Sequence, residues 1–275
     1  MGIGRWLLLS VVAALGAAGC ASQMEIIAHR GASHLAPENT VAAAELAWRK
    51  RADAVEVDVH LSQDGQLVVI HDGSTKRTAG VELEVAETPA ARLRELDVGS
   101  FKDEAFAGER IPLLEEIIAT VPDNRRLFVE IKCGPEVASP LENVIEASGK
   151  REQIVIIGFD FETVKAAKRL MPDIPTYWLV GTKKDKETEA WIPHDPKLAD
   201  KVASSGLDGL NVHWAGVTEQ FAARVHALGM PLYIWTVDDA AEARRLAKLG
   251  VAGITTNRPG WLRHQLHGGR VVAGR

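Results

Sequence analysis

Cysteine, excess positive charge and long apolar runs are all scarce in this sequence. Its 275 residues include only Cys20 and Cys133, whose contexts differ too much for a disulfide framework. Acidic residues outnumber basic ones by 37 to 32, for a formal net charge of -5, and no lysine- or arginine-rich block occurs, which argues against a general nucleic-acid-binding protein. With 46% hydrophobic and 25% charged residues, the composition is typical of a globular, enzyme-sized protein with one substantial core.

The N-terminal segment differs from the rest of the chain. Arg5 is followed by WLLLSVVAALGAAGC, which has the length of a signal-peptide hydrophobic region and is too short for a membrane span of about 20 residues. Its end, AAGC, is similar to the lipobox of bacterial lipoproteins, although Ala17 stands where leucine is usual. We therefore expect residues 1–20 to be a signal peptide and the protein to be exported and held to a membrane by a lipid on Cys20. Secretion without a lipid, into the periplasm or medium, and an uncleaved anchor are the alternatives; Cys133 is then a single thiol, expected to be buried filler.

Short apolar runs alternate with segments of helical periodicity in residues 24–265. The predicted strands are MEIIA, AVEVDVHL, RLFVEIK, QIVIIGF, TYWLV, GLNVHW, LYIWTV and GITT. Strands that alternate with helices indicate a parallel sheet, and eight such units predict an α/β protein with a closed (β/α)8 TIM-type barrel. After an extra strand, QLVVIH, residues 72–112 are expected to form a small insertion lobe between the second and third barrel strands. Residues 266–275 would be a C-terminal tail.

Two predicted strands carry carboxylates on one face. Alternate residues of a strand share a face, so Glu56 and Asp58 point to one side of VEVDV, and Glu130 and Lys132 share a face of VEIK. The valines suit the layer under the helices, which places the carboxylates inside the barrel, where they are costly unless paired or bound to a metal. Three carboxylates at the ends of two strands favour one hard divalent cation, Mg²⁺ or Ca²⁺, over zinc. The alternative is an amphipathic strand with a solvated polar face.

Two histidines end predicted strands. His29 follows the first strand and His71 follows the extra strand. Active sites of (β/α)8 barrels lie at the carboxyl ends of the strands, so both are candidates for acid-base catalysis on a phosphate ester. Arg30 and Lys132 would hold its non-bridging oxygens. A single histidine is more often structural, and the sequence has nine.

These residues belong to an ordered set of motifs. HRG…PENT, EVDVHLSQDGQLVVIHD, VEIK, WTVDD and TNRP occur in this order and resemble the motifs of the glycerophosphodiester phosphodiesterase family. The insertion resembles that of the family too, with TKRTAG, LRELDVGS and GERIPLLEEI in sequence. The similarity extends from about residue 25 to residue 261. It implies a (β/α)8 fold, one divalent cation, and hydrolysis of small glycerophosphodiesters to sn-glycerol 3-phosphate and an alcohol.

The resemblance also implies a role for each candidate residue in the reaction. The expected metal ligands are Glu56, Asp58 and Glu130. His29 and His71 match the acid-base pair, with one histidine acting as base and the other protonating the leaving alcohol. Either the glycerol hydroxyl of the substrate or a water molecule can attack phosphorus.

The remaining candidates support the substrate. Arg30 and Lys132 match the phosphate contacts, and Glu38 of PENT is expected to orient Arg30 or His29. Trp235 is either an apolar wall for the glycerol or head group or a part of the packed core, and His213 is expected to be structural. The loop GTKKDKETEAWIPHDP after the fifth strand departs most from the family and is either substrate-selecting or simply solvated.

Two other functions fit the sequence. One is phospholipase D-like action on lysolipids or sphingolipids, which related barrels perform, generally without the long insertion. The other is a non-catalytic phosphodiester-binding barrel, which the loss of a histidine, a carboxylate or the lysine would favour; all of these positions are present. The expected partners are a small-molecule glycerophosphodiester and, through a lipid on Cys20, a membrane.

Overall fold

Eight parallel strands close into a barrel. The computed structural model describes residues 24–266. The barrel strands are β1 (Glu25–His29), β2 (Ala54–Leu61), β4 (Arg126–Ile131), β5 (Ile154–Gly158), β6 (Thr176–Val180), β7 (Gly209–His213), β8 (Leu232–Trp235) and β9 (Gly253–Thr256). Because β1 pairs with both β2 and β9, the sheet is closed. This confirms the predicted (β/α)8 barrel, in which each of the eight predicted segments forms one strand.

Most helices pack around the outside of the barrel. They are α1 (Val41–Arg49), α4 (Leu114–Thr120), α5 (Ala138–Ser148), α6 (Phe161–Leu170), α7 (Lys197–Ala203), α8 (Glu219–Ala227), α9 (Ala240–Lys248) and α10 (Pro259–Leu266). Within residues 24–266, no helix has the length and apolar character needed to span a membrane. The expected signal peptide with Cys20, and residues 267–275 of the expected tail, lie outside the described residues.

The two faces of each strand supply two layers of core. Val55, Val57 and Val59 of β2 pack outward against helices such as α4. Inside the barrel, Phe128 packs edge-on against Tyr233, with the ring centroids 5.3 Å apart. This alternation is the one that places the side chains of Glu56 and Asp58 inside the barrel. Cys133 is half-buried against the outer core, where burial raises the pKa of its thiol.

A lobe lies beside the mouth of the barrel, the end at which the carboxyl ends of the parallel strands meet. Strand β2 continues beyond the barrel and pairs antiparallel with β3 (Leu67–Val69). The short helices α2 (Lys76–Ala79) and α3 (Ala90–Leu93) follow, and the lobe has its own core, which includes Val68, Val85 and Ile111. Lys102 Nζ donates a hydrogen bond of 2.7 Å to Ser33 O, which joins the lobe to the loop after β1. The hairpin of β2 and β3 at the start of the lobe thus places His71 at the mouth.

Candidate active site

Three buried carboxylates meet inside the mouth. One oxygen each of Glu56, Asp58 and Glu130 lies within 4.8 Å of the other two. The strand register brings them together, because Asp58 of β2 stands beside Glu130 of β4 and Glu56 precedes Asp58 by two residues on the same face. The structure therefore groups the three residues that the sequence predicts as metal ligands.

The donor set of this trio fits a divalent cation. Glu56 Oε1 and Asp58 Oδ1 are buried and accept no hydrogen bond from the described chain. Buried acceptors without a donor are costly, and carboxylate oxygens are the ligands that hard divalent cations prefer. Burial and the neighbouring carboxylates raise the pKa of Glu130 to about 7 and that of Glu56 well above its usual value. The site would thus exchange protons for a cation.

Arg30 enters the site through a strained turn. Its φ is 53° and that of Gly31 is 78°, so both lie in the left-handed region that favours glycine. A Cβ on Gly31 would also lie 2.5 Å from the carbonyl carbon of Ala43. The turn points the guanidinium inward, where Nη1 donates to Glu38 Oε1 at 2.8 Å and Nε lies 3.1 Å from Asp58 Oδ2. Glu38 thus holds Arg30, one of the two partners expected for it.

Lys132 provides the second cation of the site. Its Nζ donates to Glu130 Oε1 at 2.7 Å and lies 3.6 Å from Asp58 Oδ1. When ionised, the three carboxylates and the two cations of the site, Arg30 and Lys132, leave a net charge of -1. A divalent cation would change this to +1, which suits a phosphodiester anion.

His29 has a defined tautomer. Its Nδ1 lies 2.7 Å from Asn257 Oδ1, and Asn257 Nδ2 donates to Asp238 Oδ2 at 2.5 Å. Because the amide nitrogen of Asn257 faces a carboxylate, its oxygen must face His29, so Nδ1 of His29 carries the proton and Nε2 can accept one. Burial and the charge of Arg30 lower the pKa of His29, which keeps the imidazole neutral.

His71 faces a carboxylate instead of an amide. Its Nδ1 lies 2.6 Å from Asp72 Oδ1, and Arg77 Nε donates to Asp72 Oδ2 at 2.6 Å. Arg77 also donates from both terminal nitrogens to Glu38, at 3.0 and 2.8 Å. The hydrogen bond from Arg77 is the main reason that the pKa of Asp72 falls to about 2. Arg77 of the lobe therefore connects His71 with Arg30 through two carboxylates.

Several polar residues of this site are not among the candidates that the sequence predicts. Asn39 donates from Nδ2 to Asp58 Oδ2 at 2.9 Å, while its neighbour Thr40 caps α1 by accepting from Ala43 N. Its companions are the polar groups that hold the two histidines: Asp72, Arg77, Asp238 and Asn257. Each stands within a quoted motif, and that position was the available signal; only Asp72 stands directly beside a predicted catalytic residue.

Trp235 and His213 lie on the other half of the mouth. Trp235 is half-buried at the end of β8, where its Nε1 donates to Asn211 O at 3.2 Å. Its ring lies edge-on to His213 with centroids 5.1 Å apart. The structure thus places both rings at the rim, on β8 and β7, which β9 separates from β1.

Comparison with known proteins gives a consistent result. The sequence model of the Glycerophosphoryl diester phosphodiesterase family matches residues 29–261. A glycerophosphodiester phosphodiesterase of Caldanaerobacter subterraneus subsp. tengcongensis is 32% identical over 239 residues, which cover 85% of this chain and 94% of that protein. The structure of an Oleispira antarctica phosphodiesterase in complex with the product sn-glycerol-3-phosphate matches with a TM-score of 0.78 and 26% identity, over 88% of this chain and 96% of that one. The Thermotoga maritima glycerophosphodiester phosphodiesterase shares the fold, with a TM-score of 0.69 at 24% identity over 88% of this chain and 97% of the other.

Proposed function

The chain belongs to the glycerophosphoryl diester phosphodiesterase family, and we propose that it hydrolyses small glycerophosphodiesters to sn-glycerol 3-phosphate and an alcohol. The observation that carries this proposal is the buried carboxylate trio, in which Glu56 Oε1 and Asp58 Oδ1 lack a donor. A divalent cation would satisfy these atoms, and we assign it as Mg²⁺ or Ca²⁺ because all of the ligand atoms are carboxylate oxygens.

The cationic side chains at the trio would bind the phosphate. The guanidinium of Arg30 is held by Glu38 and would present donors to a non-bridging oxygen, while Lys132 would act as a compact charge from β4. A bound cation supplies further stabilisation of the negative charge that builds on the phosphoryl oxygens. The phosphate would therefore lie between the carboxyl ends of β1 and β4.

The environments of the two histidines suggest their roles. Nε2 of His29 is free to accept a proton, because Nδ1 donates to Asn257, so His29 suits the general base that deprotonates the attacking hydroxyl. Asp72 lies 2.6 Å from His71 Nδ1 and offers a counter-charge to a protonated imidazole, so His71 suits the acid that protonates the leaving alcohol as its bond to phosphorus breaks. The assignment serves attack by the glycerol hydroxyl and attack by water equally.

Release of sn-glycerol 3-phosphate from glycerophosphocholine tests the reaction class. A protein of residues 21–275 should release this product in the presence of Mg²⁺ or Ca²⁺. Release should stop in EDTA, because the trio is then without its cation. Glu56→Gln should abolish release, whereas Glu82→Gln, an exposed carboxylate of the lobe, should not change it. Release that persists in EDTA, or folded protein that releases nothing with either metal, would contradict the proposal.

We also propose that Cys20 carries a lipid after signal cleavage. Met24 directly precedes β1 and therefore lies at the base of the barrel, opposite the mouth. Residues 21–23 span at most about 10 Å, so a lipid at Cys20 would keep the base near the membrane and turn the mouth toward water. This arrangement favours water-soluble diesters over phospholipase D-like attack on lipids of the same bilayer.

Fractionation of cells tests the lipid anchor. The full chain should sediment with membranes, and Cys20→Ser should appear in the soluble fraction or accumulate uncleaved. Cys133→Ser is the matched control and should stay with the membranes. A full chain that is soluble after export would contradict lipidation and leave secretion without a lipid.

A further inference from the structure

Large apolar side chains are exposed mainly around the mouth. Seven are exposed in residues 24–266, and Leu170, at the base end of α6, is the exception. The other six lie in the lobe or in loops that follow barrel strands: Leu35, Val81, Phe101, Phe159, Trp191 and Ile192. An exposed apolar surface marks a binding site where its side chains are contiguous.

Four rings join into a continuous surface, which we call the aromatic wall and define as Phe159, Trp235, His213 and Trp191. The centroid distances along it are 5.5 Å from Phe159 to Trp235, 5.1 Å from Trp235 to His213, and 5.1 Å from His213 to Trp191. Lys132 Nζ lies 5.8 Å from the centroid of Phe159, so the wall begins directly beside the expected phosphate site.

The strand order separates this wall from the acid-base machinery. The predicted catalytic and phosphate-binding groups lie at or after the ends of β1, β3 and β4, whereas the wall comes from the ends of β5, β7 and β8 and from the loop after β6. A diester whose phosphate lies between Arg30 and Lys132 would therefore have one of its two substituents over the wall.

We propose that the aromatic wall binds the alcohol substituent of the diester and selects a quaternary ammonium group such as that of choline; this rests on the proposed hydrolase function. Trp235 stands at 84° to Phe159 and at 81° to His213, so its faces form corners with two neighbouring rings. Such corners place several π faces around one cation, which is how aromatic sites hold quaternary ammonium groups.

The charges around the wall are compatible with a cation. Lys132 is paired with Glu130 at 2.7 Å, and Lys184, whose Nζ lies 5.8 Å from the ring of Trp191, is 3.9 Å from Glu189. Burial, together with His194, lowers the pKa of His213, so this ring stays neutral and does not repel the ligand.

The outermost ring is held in place by an ordered loop. Lys184 and Trp191 form an antiparallel bridge, and Ile192 N donates to Lys183 O at 2.9 Å. This is the segment GTKKDKETEAWIPHDP, which departs most from the family motifs. The loop therefore fixes the ring of Trp191 at the outer end of the wall.

Two substrates of equal shape separate charge from size. Glycerophosphocholine is compared with its uncharged isostere, the glycerophosphodiester of 3,3-dimethylbutanol, with Mg²⁺ or Ca²⁺ present. The cation should give an advantage of about tenfold in kcat/KM, carried by KM. Calorimetry measures the affinity of metal-loaded His29→Ala for the same two ligands, and it tests the subsite even if neither ligand is hydrolysed. Failure of the hydrolase proposal is therefore distinguishable from failure of the subsite proposal.

Substitutions in the wall identify the rings that carry the preference. Trp191→Leu keeps an apolar surface without a π face and should reduce the choline-to-isostere ratio at least about threefold, and Trp191→Phe should restore most of it. Trp48→Leu is the matched control, because Trp48 lies at the base end of α1 with its Nε1 bound to Thr120. Equal turnover and equal affinity for the two ligands, preference for the uncharged one, or the same loss of ratio in Trp48→Leu would overturn the proposal.

Discussion

Replacement of His71 by alanine should lower kcat for glycerophosphocholine by about 10²- to 10⁴-fold, and a better leaving group should recover most of that loss. If His71 protonates the departing alcohol, a substrate whose leaving group departs as a stable anion does not need this proton. The p-nitrophenyl ester of glycerol 3-phosphate is such a substrate. We therefore expect His71→Ala to approach the parent rate with this ester, to within about tenfold, in a steady-state assay of p-nitrophenolate release.

His29→Ala should lose activity on both substrates, because deprotonation of the attacking hydroxyl is needed whatever group leaves. His226→Ala serves as the matched control, since His226 is exposed on α8 away from the mouth. Recovery of His29→Ala by the activated ester, with no recovery of His71→Ala, would exchange the two roles. Full activity of either variant on glycerophosphocholine would remove that histidine from the mechanism.

The carboxylate trio was predictable because it depends on local periodicity. Alternation in VEVDV and VEIK puts Glu56, Asp58 and Glu130 on inward faces, and a barrel sets neighbouring strands in register. The same logic predicts His29 and His71 at strand ends. The positions of the three carboxylates do not depend on the path of a loop, so a single sequence was sufficient to group them.

The supporting contacts were not predictable in the same way. Asn39 contacts Asp58 from a left-handed backbone conformation, with a φ of 59°. Asn257 contacts His29 although the two residues are 228 positions apart in the sequence. Arg77 reaches Glu38 only because the lobe folds back onto the mouth. Such contacts depend on loop conformations, which hydrophobic periodicity does not encode.

The two ends of the barrel use charge differently. At the base, Asp53 Oδ1 accepts from Arg125 Nη1 at 2.7 Å, and its Oδ2 accepts from Ile26 N at 2.9 Å and from Arg263. Both of its oxygens are satisfied, as expected where charge serves stability. At the mouth, Glu56 Oε1 and Asp58 Oδ1 have no donor within the described chain. That contrast agrees with the division of (β/α)8 barrels into a stabilising base and a catalytic mouth.

Affinity for the divalent cation should rise steeply between about pH 6 and pH 8. In the metal-free protein, burial and the neighbouring carboxylates raise the pKa of Glu130 to about 7 and that of Glu56 well above its usual value. Metal ligands must be ionised, so binding below these pKa values releases protons, and each released proton changes Kd about tenfold per pH unit. Calorimetric titration of Mg²⁺ or Ca²⁺ in two buffers of different ionisation enthalpy would count the protons.

The same protons give the metal-free protein a distinctive stability profile. The pKa of Glu130 rises on folding from 4.5 to about 7, so the folded state binds more protons than the unfolded state between these values. The contribution of this group to the free energy of unfolding is therefore full below pH 4.5 and is lost as pH rises toward 7. Burial lowers the pKa of four histidines, which gives the opposite trend: His29, His60, His194 and His213.

The histidines contribute to the melting temperature both with and without the cation, so their contribution largely cancels in the difference. The gain in melting temperature on adding the cation therefore reports mainly on the carboxylates. A bound cation keeps them ionised, so this gain should be small at pH 5.5 and largest near pH 8, as measured by calorimetry with EDTA or with excess Mg²⁺ or Ca²⁺. Glu130→Gln removes one titrating ligand and should flatten the pH dependence, whereas the exposed Glu136→Gln should not. A gain that is equal at every pH would show that the trio is fully ionised without metal, and the proton-for-cation exchange inferred from its burial would then be wrong.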